Sequence, residues 1–162
     1  MANSDALRDL PDHGLSHIAL TVRDVDLSIA FYREFANFEV IHQRGVPGHR
    51  VVWLSDLRLP FALVLVESDS DEVRLGGVAH LGIACPSLQD VDRLADRARE
   101  AGCLRREPED GGDPVGYWTL LQDPDGHNVE LSFGQEVGAQ VEQARRRRAG
   151  DDPQASRLGP VH

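Results

Sequence analysis

Histidine and glutamate recur in this chain at one shared offset. His17 and Glu67 are 50 residues apart, and so are His80 and Glu130. The second pair is the first moved by 63 residues, and the neighbouring sequence moves with it. Ser16-His17-Ile18-Ala19-Leu20 matches Ala79-His80-Leu81-Gly82-Ile83, and Val66-Glu67 matches Val129-Glu130. A duplicated module constrains the fold more than composition does. Each copy would be marginal as a separate domain, so two copies in 162 residues are expected to share one core.

The local patterns in the two copies agree. Leu15–Val22 is an apolar, β-branched run and predicts a strand. Asp24 caps a helix to about Ala36, striped by Val25, Ile29, Tyr32 and Phe35. Strands follow at Phe38–Gln43, Arg50–Leu54 and Phe61–Glu67. In the second copy, Val78–Cys85 predicts a strand and Ser87 caps a helix that Gly102 stops. Leu104–Glu107, Gly116–Gln122 and His127–Phe133 predict strands, the last two joined by the tight turn Asp123-Pro124-Asp125-Gly126. Both modules read β-α-β-β-β, an α+β class. The expected divisions are a leader (1–13), modules 14–67 and 78–133 within a domain 14–135, a linker 68–77 and a disordered polar tail (136–162) in which 140–148 could form a short helix.

Composition excludes several functions. A formal charge of −10 lacks the basic surface that nucleic-acid binding requires. No apolar run approaches the ~18 residues of a membrane span. No charged-then-apolar leader opens the chain, and a cytoplasmic location is expected. All 17 basic residues are Arg, as a GC-rich genome would give. Cys85 and Cys103 lack metal-type spacing and read as a reduced, apolar pair.

Imidazole nitrogen and carboxylate oxygen suit Zn, Ni, Co, Mn or Fe(II). Taken singly, a strand His is commonly a satisfied core residue, and a strand-end Glu is commonly solvated. The matched offsets point instead to one divalent metal held by His17, Glu67, His80 and Glu130. Trp53, Tyr117 and Trp118 are candidates to line a substrate pocket. His127 is expected to point outward, His42 and His49 to be solvated, and Arg50 to be a surface residue or an anion holder. Arg145–Arg148 reads as a solvated charge run.

The chain resembles the vicinal oxygen chelate superfamily, which spans glyoxalase I, bleomycin-resistance proteins and extradiol dioxygenases. The matching residues are Leu15–Leu20, Ser28-Ile29-Ala30-Phe31-Tyr32, Val78–Ile83 and Asp123–Glu130, so the resemblance covers about 14–135. It implies two βαβββ modules that form a curved eight-stranded mixed sheet, a cup around a divalent cation. It also implies a homodimer acting on a small molecule. His17, Glu67, His80 and Glu130 fall on its ligand positions and look most like the glyoxalase I set. That implies a lyase or isomerase in which the metal polarises adjacent oxygens while Glu130 or Glu67 carries a proton. Two alternatives accompany it. One is a non-catalytic, antibiotic-sequestering protein. The other is an Fe(II) extradiol dioxygenase using His17, His80 and Glu130, although Leu120 stands where that branch has Tyr.

Overall fold

The computed structural model describes residues 15–69 and 74–149. The leader 1–13 lies outside the described residues, as do 70–73 of the linker and 150–162 of the tail. The order is β1 (His17–Val22), α1 (Val25–Ala36), β2 (Glu39–Arg44), β3 (Val51–Ser55), β4 (Ala62–Glu67), β5 (Leu81–Ala84), α2 (Leu88–Glu100), β6 (Leu104–Asp110), β7 (Tyr117–Gln122), β8 (Asn128–Phe133) and α3 (Val137–Ala149). Both β-α-β-β-β modules are present. Their eight strands form two four-stranded sheets, ordered β1-β4-β3-β2 and β5-β8-β7-β6. After β8 the chain carries α3, which includes the 140–148 stretch read as a possible short helix. No described helix is long and apolar enough to cross a membrane.

Local chemistry explains the helix ends. Asp24 accepts from the backbone N–H groups of Asp26 and Leu27 at 3.0 and 3.1 Å. Ser87 accepts from Asp90 N–H at 3.1 Å and donates to the Asp90 carboxylate at 2.7 Å. Gly102 sits at φ +73°, just past the last turn of α2.

The chain divides into two compact units. One runs through Leu81 and takes in Gln122–Asn128; the other comprises Gly82–Leu121 and resumes at Val129. The turn between β7 and β8 therefore belongs to the first unit.

In the first sheet β1 runs parallel to β4, while β3 is antiparallel to both β4 and β2. Register partners share a face. One face carries Leu20, Leu65 and Val52 in one row and Leu63 and Leu54 in the next. All five are buried, as are Val25, Phe31, Tyr32 and Phe35 of α1. The opposite face carries the rows Ala19–Val64–Trp53–His42 and Thr21–Val66–Val51–Arg44, with His17 beside Ala62. The second sheet has the corresponding strand order, with β6 antiparallel to β7. Val129 and Leu131 are buried on one face of β8, and Asn128, Glu130 and Ser132 occupy the other.

Candidate metal centre

The register separates His17 from Glu67. His17 pairs with Ala62 and Glu67 with Val22. The two side chains are five positions apart along the strands, roughly 16 Å, and on opposite faces. Glu67 lies on the face that carries Leu63 and Leu65.

Its carboxylate is already engaged there. Oε1 accepts from Arg50 Nη2 at 2.8 Å and from Val25 N–H at 3.5 Å. Oε2 accepts from Gly48 N–H at 2.9 Å, Arg50 Nε at 3.0 Å and Arg50 N–H at 3.2 Å. Arg50 reaches on to both oxygens of Asp26 at 3.0 and 2.9 Å. Arg50 is thus a structural clamp rather than an anion holder. Its hydrogen bonds hold the Glu67 carboxyl down to about 2, against an ordinary 4.5. So acidic a group is a poor proton carrier at neutral pH. Glu67 is thus engaged by Arg50 and turned to the face opposite His17.

The equal 50-residue spacing misleads because it ignores strand parity. In β4 the core-facing residues next to Glu67 are Leu63 and Leu65; in β8 they are Val129 and Leu131. Only an even shift carries one strand onto the other with its faces preserved. The shift of 63 is odd. The observed strand starts, Ala62 and Asn128, place Glu130 in register with Val64.

A stability prediction follows. A carboxyl with a depressed folded-state value stabilises the fold above its unfolded value and loses that contribution as pH falls towards the folded one. Glu67→Gln should cost about 2 kcal/mol at neutral pH, between an exposed and a fully buried pair. It should also flatten the loss of stability between pH 4.5 and 2. Urea unfolding at both ends of that window checks it.

The other donors are placed differently. His17 is exposed, its Nδ1 2.9 Å from the Ser16 hydroxyl. His80 lies just before β5, exposed, its Nδ1 2.8 Å from the Val78 carbonyl. A carbonyl only accepts, so Nδ1 carries the proton and the neutral ring has its lone pair on Nε2. Glu130 is buried on the polar face of β8, with Oε1 accepting from Gln135 Nε2 at 2.7 Å. Sequence reading missed Gln135, which lies in the loop after β8. Two imidazoles and a carboxylate are a donor set that suits a divalent transition metal. Among the described residues of one chain, no three His, Cys, Asp or Glu side chains cluster closely enough to hold an ion.

The remaining candidates divide. Trp53 is 41% exposed on the His17 face, with its ring centroid 5.1 Å from that of His42. Tyr117 donates to Asp92 of α2 at 2.6 Å and so turns towards that helix. Trp118 is covered by the Arg106 guanidinium, 4.7 Å from its ring centroid. Adjacent strand residues point to opposite faces, so Tyr117 and Trp118 do not line one wall together. Cys85 and Cys103 are free, and burial pushes both thiols up, as apolar, unreactive cysteines require.

His127 corrects another expectation. It is 1% exposed rather than outward-facing. Its parity matches Val129 and Leu131, which turns it inward. Nδ1 accepts from Leu75 N–H at 3.1 Å, and Nε2 donates to Thr21 O at 3.1 Å.

Comparison with known proteins gives the following. A model of the Glyoxalase/Bleomycin resistance protein/Dioxygenase superfamily matches residues 14–131. The uncharacterised protein PA2024 of Pseudomonas aeruginosa is 40% identical over 127 residues, covering 76% of this chain and 91% of that protein. A variant of the fosfomycin resistance protein FosX of Listeria monocytogenes, complexed with Mn(II) and 1S,2S-dihydroxypropylphosphonic acid, superposes with a TM-score of 0.61 at 22% identity. That match covers 81% of this chain and 97% of FosX. The trypanothione-dependent glyoxalase I of Leishmania major superposes with a TM-score of 0.60 at 24% identity, covering 87% of this chain and all of that one.

Proposed function

Since the chain belongs to the Glyoxalase/Bleomycin resistance protein/Dioxygenase superfamily, we propose that it is a divalent-metal-dependent enzyme of glyoxalase type. His17, His80 and Glu130 hold the cation. A second copy of the chain completes the set, forming a homodimer with a cytoplasmic role. The reading is carried by the ring of His80. Its Nδ1–H is held by a backbone carbonyl, the arrangement that presents Nε2 to a metal.

A bound cation would supply Lewis-acid polarisation of adjacent substrate oxygens. The rest falls to the chain's own residues. Glu130, buried and held at one oxygen by Gln135, carries a proton between neighbouring carbons. Trp53 offers a flat apolar wall on the His17 face for the substrate's carbon part.

The test is deuterium exchange. The metal-loaded protein is incubated in heavy water with 2-hydroxy ketones and with hemithioacetals of 2-oxoaldehydes. Exchange at the carbon beside the carbonyl, lost in Glu130→Gln, supports the reading. No exchange with any of them contradicts it. One observation favours a second reading. With Glu67 removed, the remaining His, His and Glu are also a dioxygenase-type set. That reading requires oxygen uptake with catechols in the Fe(II)-loaded protein.

A further inference from the structure

We propose that Asn128 is a positioning residue for His80, setting its tautomer and so the nitrogen it offers. The metal-binding consequence rests on the function proposed above; the tautomer itself does not.

A buried side-chain amide on a strand is costly unless its donors are used. Asn128 is buried, and its Nδ2 donates to Gly77 O at 3.1 Å and to Ala79 O at 3.3 Å. Its backbone N–H donates to Leu75 O at 2.8 Å. Asn128 thus holds three alternate carbonyls along the segment that leads into His80. Between two of them sits Val78, whose own carbonyl accepts the His80 Nδ1–H.

Gly77 is at φ +62°, a left-handed bend, and the Val78 side chain is 95% exposed and contributes no packing. The bond from Ala79 N–H to Gly76 O, 3.1 Å, closes the bend. The carbonyls on either side of Val78 are held by Asn128. The sequence of causes runs from the Asn128 amide, through residues 77–79 and the Val78 carbonyl, to the imidazole. Histidine in water favours the Nε2–H form, in which Nδ1 carries the lone pair. The Val78 carbonyl selects the opposite form.

The experiment uses the full chain labelled with 15N-histidine, metal-free, about two pH units above the usual imidazole value so that the rings are neutral. Long-range proton–nitrogen spectra report each tautomer, with His80 assigned by its loss in His80→Gln. The wild type should show His80 as Nδ1–H. Asn128→Ala should move it to a mixture dominated by Nε2–H. His127, held by Leu75 and Thr21, should remain Nε2–H and so reports that the fold is intact. If alanine also disturbs His127, Asn128→Asp, which keeps the volume but lacks the N–H donors, makes the same comparison. In parallel, Mn(II) affinity should fall about 10- to 100-fold.

A His80 tautomer unchanged in the variants, or Nε2–H in the wild type, overturns the proposal. A wild type that shows the expected tautomers but binds no Mn(II) overturns the functional reading and leaves this one standing.

Discussion

Asp123→Ala should be the most destabilising single substitution in the turn between β7 and β8, costing about 4 kcal/mol. The Asp123 carboxylate accepts from Asp125 N–H at 3.0 Å and His127 N–H at 2.8 Å through one oxygen, and from the Tyr32 hydroxyl at 2.9 Å through the other. Tyr32 is fully buried. Each buried donor left without a partner costs about 1–3 kcal/mol. For a domain stable by about 5–15 kcal/mol, this is a large share. The neighbouring Asp125 adds to the anchorage. It accepts from Arg23 N–H at 3.0 Å, Arg23 Nε at 3.1 Å and Ser28 Oγ at 3.4 Å. Tyr32→Phe removes one donor and leaves Asp123 its backbone partners, so it should cost only about 1 kcal/mol. Chemical denaturation of the two variants checks the ranking. Equal losses would show that the phenol, and not the turn, carries the energy.

His80→Ala and Glu130→Ala should each weaken divalent-metal binding by more than about 100-fold, because losing even an outer partner of a ligand costs about 10- to 100-fold. Neither should cost much stability in the metal-free protein. His80 is exposed, so removing its ring uncovers no core. Glu130 is buried, and its loss leaves the Gln135 amide without that acceptor, a cost of about 1 kcal/mol. Calorimetric titration with Zn(II) or Mn(II), paired with unfolding of the metal-free variants, separates the two effects. A variant that loses metal and fold together would mean that the side chain is structural.

Much of the fold is legible in the chain because it is written locally. Asp24, Ser87 and Gly102 mark helix ends through hydrogen bonds and backbone angles that involve only near neighbours. The repeated strand order follows from runs that alternate or stay apolar. What sequence reading misses depends on register and partner. In β4, Leu63 and Leu65 occupy one face and Ala62, Val64 and Val66 the other, so hydrophobicity does not reveal which side is the core. Glu67 is grouped with His17 by spacing alone, and only the pairing of Glu67 with Val22 and of His17 with Ala62 shows that the two occupy opposite faces. His127, Asp123 and Asp125 look like exposed turn residues because each carries charge or polarity. They are buried because Thr21, Arg23, Ser28, Tyr32 and Leu75, all distant in sequence, supply their partners. The same dependence hides Gln135 and Asn128. A glutamine after a strand and an asparagine at its start carry no signal until their acceptors, Glu130 and the carbonyls before His80, are in place.

The most direct measurement is the nitrogen coupling of Mn(II) bound to the protein, read by pulsed electron paramagnetic resonance with and without 15N-histidine. Two bound imidazoles are expected. Removing either His17 or His80 should leave one, and Glu67→Gln should leave the spectrum unchanged. A wild-type spectrum with no imidazole coupling, or one altered by Glu67→Gln alone, would contradict the assignment of the site to His17, His80 and Glu130.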